Sequence, residues 1–222
     1  FNTTSTPVGH GFSQSNLDND FACYSFEPKS NMPIKVIALD DTCKGPGQPN
    51  YARGALDQKR LDWLQNELQE GQDHDKLMII AAHIPIQPQQ TLDPNSGTYP
   101  LLSSTSLVDD PSLLAILHDY PNLILWIAGH RHVNVVTPQP SPDPVNHPEQ
   151  SFWEVETASL RDFPQQFRTF DIRRNSDNTI SIIITDADPA VTEGSPAAKS
   201  RGYAIGIARI CGATDSNPDT RA

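Results

Sequence analysis

The sequence predicts an α/β fold with a mixed β-sheet, and three patterns support this prediction. Two runs, residues 77–82 and 122–128, are almost wholly apolar, which is typical of strands covered on both faces. A helical stripe of leucines precedes the first run, and segments that alternate between apolar and polar side chains follow the second. Helices that fall between strands are what an α/β sandwich requires.

The first predicted helix runs from about Asp57 to Glu70. Leu61, Leu64 and Leu68 lie on one stripe of it, and the residues between them are mostly polar. We expect Gly71 to end this helix, because glycine is common just past a helix C-terminus.

Two further helices are predicted. Asp110 and Pro111 suit the N-cap and first turn of a short helix that runs to His118, ahead of a break at Pro121. His118 then lies at a helix C-terminus, where a cation is favoured, so we interpret it as structural. The third helix is predicted over Ala197–Ile210, and the last ten residues have the composition of a disordered tail.

Segments around these elements are predicted as loops or as a hairpin. Residues 84–109 and the Pro-rich stretch 137–148 form long loops, the second extended by its prolines. Phe167–Arg173 and Thr179–Thr185 flank a polar cluster suited to a hairpin turn. Asp186 and Asp188 are interpreted as polar residues that follow the second strand.

Composition excludes some function classes. A net charge of −11 argues against a nucleic-acid groove, which needs clustered Lys and Arg. No apolar run approaches the length that spans a bilayer, so we expect a soluble protein. Cys23 and Cys43 could pair in an exported protein or could be buried thiols, and the compartment therefore stays open.

Each apolar run leads into histidines. His83 follows the first run, and Gly129-His130-Arg131-His132 follows the second, where Gly129 lets the backbone turn. If the two strands are parallel and close in the sheet, their ends fall on the same edge, where ligands gather in open α/β sheets. Three imidazoles at that edge suit Zn, Mn, Fe or Ni better than Ca or Mg.

The histidine pair also has to be compared with other His-x-His proteins. A lone histidine after a strand is usually a polar cap or a core residue. His83 is therefore interpreted as a metal ligand only because the pair His130 and His132 accompanies it. Metallo-β-lactamases carry an Asp two places after the second His, where this chain has Asn134. In amidohydrolase barrels the pair lies on the first strand, whereas here it lies past the middle of the 222 residues.

Ala81-Ala-His83-Ile-Pro85 and Gly129-His130-Arg131-His132 together resemble the last two metal-binding motifs of the calcineurin-like metallophosphoesterases. This superfamily includes purple acid phosphatases and many bacterial phosphodiesterases, and the resemblance is strongest to a bacterial subgroup. It covers roughly residues 32–186: residues 34–42 match the strand that usually precedes the first of these motifs, and residues 152–159 and 167–173 resemble the closing strands.

The resemblance implies the C-terminal half of a four-layer α/β sandwich with a dinuclear metal site. His83 and His130 would hold one ion and His132 the other, with Mn, Fe or Zn as the metals. The implied activity is metal-dependent hydrolysis of a small phosphoester, by a phosphatase or a phosphodiesterase. Arg131 could neutralise the phosphate or could pair with an acid, and Asp40 and Asp41 are expected to be structural or to orient a ligand.

The chain also departs from that family. Members begin with Asp-x-His, then Gly-Asp, then Gly-Asn-His, and none of these occurs in the 222 residues. The nearest imitation, Asp73-His74-Asp75, lies in a polar stretch that we interpret as solvated surface. Because the chain opens on Phe1 without a signal-like segment, we expect a missing N-terminal portion that carries these motifs.

Two expectations complete the prediction. Residues 1–188 would form the C-terminal part of a metallophosphoesterase-like domain, and residues 189–222 a C-terminal helix and flexible tail. The alternative function is a noncatalytic binding or interaction protein on a degenerate fold, which the missing motifs favour and the intact spacing of the three histidines disfavours. His10 and His147 lie in loops rich in Gly or Pro and are interpreted as loop residues.

Overall fold

A computed structural model of the chain describes residues 13–18, 21–41, 56–86 and 110–214. These residues fall into two compact units, and each unit is described by itself. Unit 1 contains the described residues up to Ala128 together with Val136–Val155, and unit 2 contains Gly129–Val135 and the described residues from Glu156 onward. The domain division expected between residues 188 and 189 stays a prediction.

The principal sheet is mixed, which confirms the predicted α/β fold class. In the described residues it has six strands in the spatial order β1-β2-β3-β4-β6-β5. Their bounds are Tyr24–Phe26 (β1), Ile34–Ala38 (β2), Leu77–Ala81 (β3), Leu123–Ala128 (β4), Val135–Gln139 (β5) and Phe152–Glu156 (β6). Strand β1 is antiparallel to β2, whereas β2, β3 and β4 are parallel neighbours.

The register of β3 and β4 decides where the two histidine motifs leave the sheet. Ala81 near the end of β3 lies opposite Ile127 near the end of β4. The carboxyl ends of both strands therefore share one sheet edge, as the sequence predicted. Both strands are apolar because both faces are covered: Ile80 and Leu125 have no exposed surface.

Helix α2, Gln58–Asp73, covers this sheet with the predicted stripe. Leu61, Leu64 and Leu68 are buried, and the Asp57 side chain caps the helix by accepting the Arg60 backbone N–H at 2.9 Å. Amphipathic spacing and an N-terminal cap together explain why this segment is helical.

The expectation that Gly71 ends α2 is wrong, because the helix continues to Asp73. Gly71 is buried, and a Cβ atom there would lie 2.4 Å from Sδ of Met78 in β3. The residue with left-handed backbone beyond the helix is instead Asp75, with φ of 52°. Gly71 therefore allows close packing of the helix on the strand. The periodicity of the sequence does not distinguish such a glycine from one that ends a helix.

Among the described residues, the remaining elements of unit 1 are two helices and a short turn. Helix α1 spans Gln14–Asp18, α3 spans Asp110–His118, and a 3-10 turn spans Pro148–Gln150. Helix α3 thus includes Asp110 instead of starting after it. Of the loop predicted over residues 84–109, residues 87–109 lie outside the described residues.

The Pro-rich segment was predicted wholly as loop, but its first residues belong to β5. Strand β5 contains Pro138 and lies at the end of the strand order. An edge strand tolerates proline because one side of it needs no ladder donors. Position in the sheet, which the local composition does not reveal, made this segment a strand.

Unit 2 contains the predicted hairpin and the C-terminal helix. Strands β7, Phe167–Arg174, and β8, Ile180–Ala187, pair antiparallel, and α4 spans Pro196–Thr214. Asp186 lies within β8 instead of after it, opposite Arg168. None of the helices in the described residues combines the length and apolar character that a membrane span needs.

Candidate metal centre

The turn that follows β4 has an unusual backbone. His130 and His132 hold φ angles of 67° and 57°, in the left-handed region that residues other than glycine seldom adopt. Between them, the Arg131 N–H donates to the Gly129 carbonyl oxygen at 2.8 Å. The sequence Gly-His-Arg-His therefore forms a tight turn, which we call the histidine turn (residues 129–132).

The imidazole of His132 is oriented by a carboxylate. Its Nδ1 lies 2.6 Å from Oδ2 of Asp162, and both side chains are partly exposed. If Nδ1 carries the proton, Asp162 accepts it and Nε2 presents its lone pair outward. Metal-ligating histidines almost always have such a partner on the second ring nitrogen.

Arg131 is held by an acid. Its Nε donates to Oε2 of Glu156 at 2.6 Å, and its Nη2 bonds the other oxygen of that carboxylate. Glu156 is only 2% exposed, so removing its partner would leave a buried charge unpaired, typically at a cost of about 3–5 kcal/mol. Of the two alternatives for Arg131, the geometry corresponds to pairing with an acid, and its role as a catalytic phosphate contact stays a prediction.

Further side chains fix the residues on either side of the histidine turn. Asn134 accepts the Ala158 N–H at 2.9 Å and donates to Gln166 at 2.8 Å. Arg168 donates to the carbonyl oxygens of Glu156 at 2.8 Å and Val135 at 3.3 Å. The backbone that carries His130 and His132 is thus tied to neighbouring segments of unit 2.

His83 belongs to unit 1 and follows β3 by two residues. Its side chain is exposed, while Ile84, Pro85 and Ile86 directly after it are buried. Asp41 accepts the backbone N–H of His83 at 3.1 Å and that of Ile84 at 2.7 Å. The strand exit is therefore anchored through its backbone.

The two acids after β2 have different partners. Burial raises the pKa of Asp41 to about 7, against the opposing effect of the Ile84 and His83 N–H groups, which favour the ionised form. Asp40 pairs with Arg60 at 2.9 Å, and Arg60 also pairs with Asp57. Both acids make structural contacts in unit 1, and the expectation that they are structural or orient a ligand stays a prediction.

The other histidines have structural or surface positions. Nδ1 of His118 lies 2.7 Å from the Gln150 carbonyl oxygen, and its ring packs against Phe152. His147 is exposed with Nδ1 3.0 Å from Glu149, and His74 is exposed at the end of α2. His10 lies outside the described residues.

Three acids near the two histidine motifs were not predicted from the sequence: Glu156 and Asp162, described above, and Glu154, which accepts the Ile86 N–H at 2.6 Å. Glu154 and Glu156 lie among apolar residues in β6, and this sequence pattern could have predicted acids with a role inside the fold. Both acids are buried in the structure. Asp162 lies in a polar loop, and nothing in its surroundings predicts a bond to a residue 30 positions earlier.

The described residues do not themselves form a complete metal site. Across residues 13–18, 21–41, 56–86 and 110–214, no three His, Cys, Asp or Glu side chains are grouped so as to hold a metal ion. Ligation by His83, His130 and His132 therefore stays a prediction.

Comparisons with known proteins give a likeness in structure but none in sequence. No family model matches the sequence, and no curated protein matches it. Among solved structures, the chain is similar to a dimetal phosphatase from Danio rerio, with 15% sequence identity and a TM-score of 0.46. The match covers 68% of this chain and 54% of that chain, so this chain spans about half the length of that structure.

Proposed function

We propose that the histidine turn binds metal and that the chain is part of a metal-dependent phosphoester hydrolase. The observation that carries this proposal is the left-handed backbone of both histidines. Such conformations oppose folding by about 1–3 kcal/mol each and persist where the surroundings fix them, often at ligand sites. In this turn, Glu156 and Asp162 provide that fixation through Arg131 and His132.

The donor set suits the metals that the sequence suggested. Neutral imidazole nitrogens favour Mn, Fe and Zn over Ca and Mg, and Asp162 would hold His132 in the tautomer that leaves Nε2 able to bind. His130 and His83 are the other proposed ligands of this chain. The family that the sequence resembles takes its further ligands from Asp-x-His, Gly-Asp and Gly-Asn-His motifs, none of which occurs in the 222 residues.

The proposed substrate is a small phosphoester. When bound, two metal ions would acidify a water molecule and stabilise charge on the phosphoester oxygens. A chain with a net charge of −11 gives a polyanionic substrate no general attraction, whereas two cations reverse the sign of the charge locally. Arg131 then contributes mainly by holding the turn, because Glu156 already binds its guanidinium.

Zinc binding measured by calorimetry tests the metal centre. We expect His132→Ala to weaken Zn²⁺ binding at least tenfold and Asp162→Asn to weaken it about 10- to 100-fold, the usual effect of losing a ligand's hydrogen-bond partner. His147→Ala is the matched control, because His147 also contacts a carboxylate through Nδ1 but lies in an exposed loop. Its zinc affinity should equal that of the wild type.

The opposite outcome has a clear meaning. Equal zinc affinities of His132→Ala and His147→Ala would overturn the metal centre at the histidine turn. A noncatalytic binding protein would then be the better interpretation of the chain.

A further inference from the structure

We propose that Asp41 and Glu154 are positioning residues that hold His83 for metal binding by fixing the backbone of the segment after β3. This inference rests on the proposed function, since it assigns His83 to the metal. Neither carboxylate needs to touch the metal or the substrate. Both would act through the backbone of residues 83–86, which we call the β3 exit.

Along the chain into the β3 exit, the acceptors of the backbone N–H groups change from a neighbouring strand to side chains. The Ala82 N–H still donates to the Ile127 carbonyl oxygen of β4 at 3.0 Å, as in a sheet ladder. The next two N–H groups, of His83 and Ile84, go instead to the two oxygens of Asp41, at 3.1 and 2.7 Å. Backbone groups at a buried strand end need partners, and a side chain supplies them here.

A second carboxylate takes the next available donor. Pro85 has no N–H, and the Ile86 N–H donates to Oε1 of Glu154 at 2.6 Å. The other oxygen of Glu154 accepts a hydrogen bond from Nε2 of Gln139 at 2.7 Å. Every backbone N–H of the β3 exit is therefore bound by one of two carboxylates.

The two carboxylates come from opposite sides of β3 in the sheet. Asp41 follows β2, the neighbour of β3 on one side, and Glu154 lies in β6, beyond β4 on the other side. They are 6% and 3% exposed. Because both carboxyl groups are withdrawn from water, solvent does not compete for the N–H groups that they accept.

This arrangement presents one side chain. Within the β3 exit, Ile84, Pro85 and Ile86 are buried and His83 is exposed. Burying two carboxylates opposes folding, and apolar residues could fill the same space at less cost. We interpret this unfavourable burial as serving to fix the position of His83. A metal ligand that its surroundings hold in place binds metal better than a mobile one.

Asp41→Asn tests the inference with Asp40→Asn as the matched control. The change at Asp41 preserves shape but turns one acceptor into a donor that faces a backbone N–H. Asp40 is the adjacent acid, and its carboxylate pairs with Arg60. Two quantities would be measured by NMR and calorimetry on the whole chain: amide hydrogen exchange of His83 and Ile84 relative to the other amides of β3, and the affinity for Zn²⁺.

We expect Asp41→Asn to speed the relative exchange of the Ile84 amide at least about tenfold and to weaken zinc binding by a similar factor. Asp40→Asn should leave both quantities within about twofold of the wild type, since the N–H groups of the β3 exit bond to Asp41 and Glu154, whereas the Asp40 carboxylate bonds to Arg60. Glu154→Gln is a second variant, and it should speed the relative exchange of the Ile86 amide.

The outcomes separate this inference from the proposed function. Unchanged exchange in Asp41→Asn would overturn the backbone anchoring itself. Faster exchange with unchanged zinc affinity would overturn the positioning role while leaving the metal centre in place. A wild-type chain that binds no zinc would overturn the proposed function and the assignment of His83 to the metal, whereas the anchoring would still be judged by exchange.

Discussion

At the scale of single residues, buried charged side chains of this chain form several hydrogen bonds and ion pairs. Lys35 is an example on the face of the sheet that α2 covers: its side chain is 7% exposed, and Nζ lies 2.7 Å from Glu67 and 2.6 Å from Glu70. It also donates to the Glu67 carbonyl oxygen at 2.9 Å. A buried ammonium needs such partners, because leaving it unpaired would cost several kcal/mol.

The Lys35–Glu70 pair predicts a pH dependence of stability. The hydrogen bond and charge of Lys35 hold the pKa of Glu70 below its ordinary value. A lowered pKa means that the pair stabilises the fold above the ordinary pKa of a glutamate and loses this effect as pH falls through the folded-state pKa. Because Glu70 is largely exposed, Glu70→Gln should lower the free energy of unfolding at pH 7 by less than about 1 kcal/mol.

Urea unfolding of the wild type and the variant between pH 7 and pH 3 measures this effect. The difference between the two should shrink toward acid pH. Glu193→Gln, at an exposed position in unit 2, serves as the control. A difference that stayed constant or grew on acidification would show that the charge of Glu70 does not stabilise the fold through Lys35.

At the scale of elements, the glycines of α2 and α4 have opposite surroundings. Gly71 in α2 faces Met78, which has no exposed surface, so an added methyl group has no room. Around Gly202 in α4 no atom lies within 4 Å of an added Cβ. The same substitution should therefore have opposite signs in the two helices.

Gly71→Ala should destabilise the chain by about 1 kcal/mol, since overpacking costs about 1–3 kcal/mol and the gain in helix propensity is at most about 1 kcal/mol. Gly202→Ala should stabilise it by up to about 1 kcal/mol, because only the propensity gain applies. Denaturant unfolding of both variants measures the two signs. Stabilisation by Gly71→Ala would mean that Met78 moves aside freely.

Elements with a strong local pattern were the ones that the sequence predicted well. Strands β3 and β4 were predicted to within a residue at most ends, because nearly continuous apolar residues require burial on both faces. Strand β5 was missed at Pro138, since its position at the sheet edge follows from tertiary pairing. The partners of the histidine turn were also missed, because Glu156 and Asp162 join it across 25 and 30 residues.

At the scale of the whole molecule, the central prediction concerns activity. The 222 residues lack Asp-x-His, Gly-Asp and Gly-Asn-His, and with them the bridging carboxylate that the resembled family uses. The chain alone should therefore show no appreciable hydrolysis of an aryl phosphate with added Mn²⁺ or Zn²⁺. The measurement is a steady-state assay with and without metal.

Adding a polypeptide that supplies the three motifs should produce metal-dependent turnover, and the same mixture with His130→Ala should lose nearly all of it. The control is His118→Ala, because His118 contacts the Gln150 carbonyl oxygen in unit 1. Robust turnover by the 222 residues alone would show that the ligand set has been assigned wrongly.

Pro138 has a further consequence for how copies of the chain behave at high concentration. A strand at the end of a sheet exposes unpaired backbone groups that can template the addition of another chain. In the described sheet, β5 is interrupted by a residue without an N–H, and β1 at the opposite end has only three residues. Both ends of the described sheet are thus poor templates, so we expect little edge-to-edge association of chains through them.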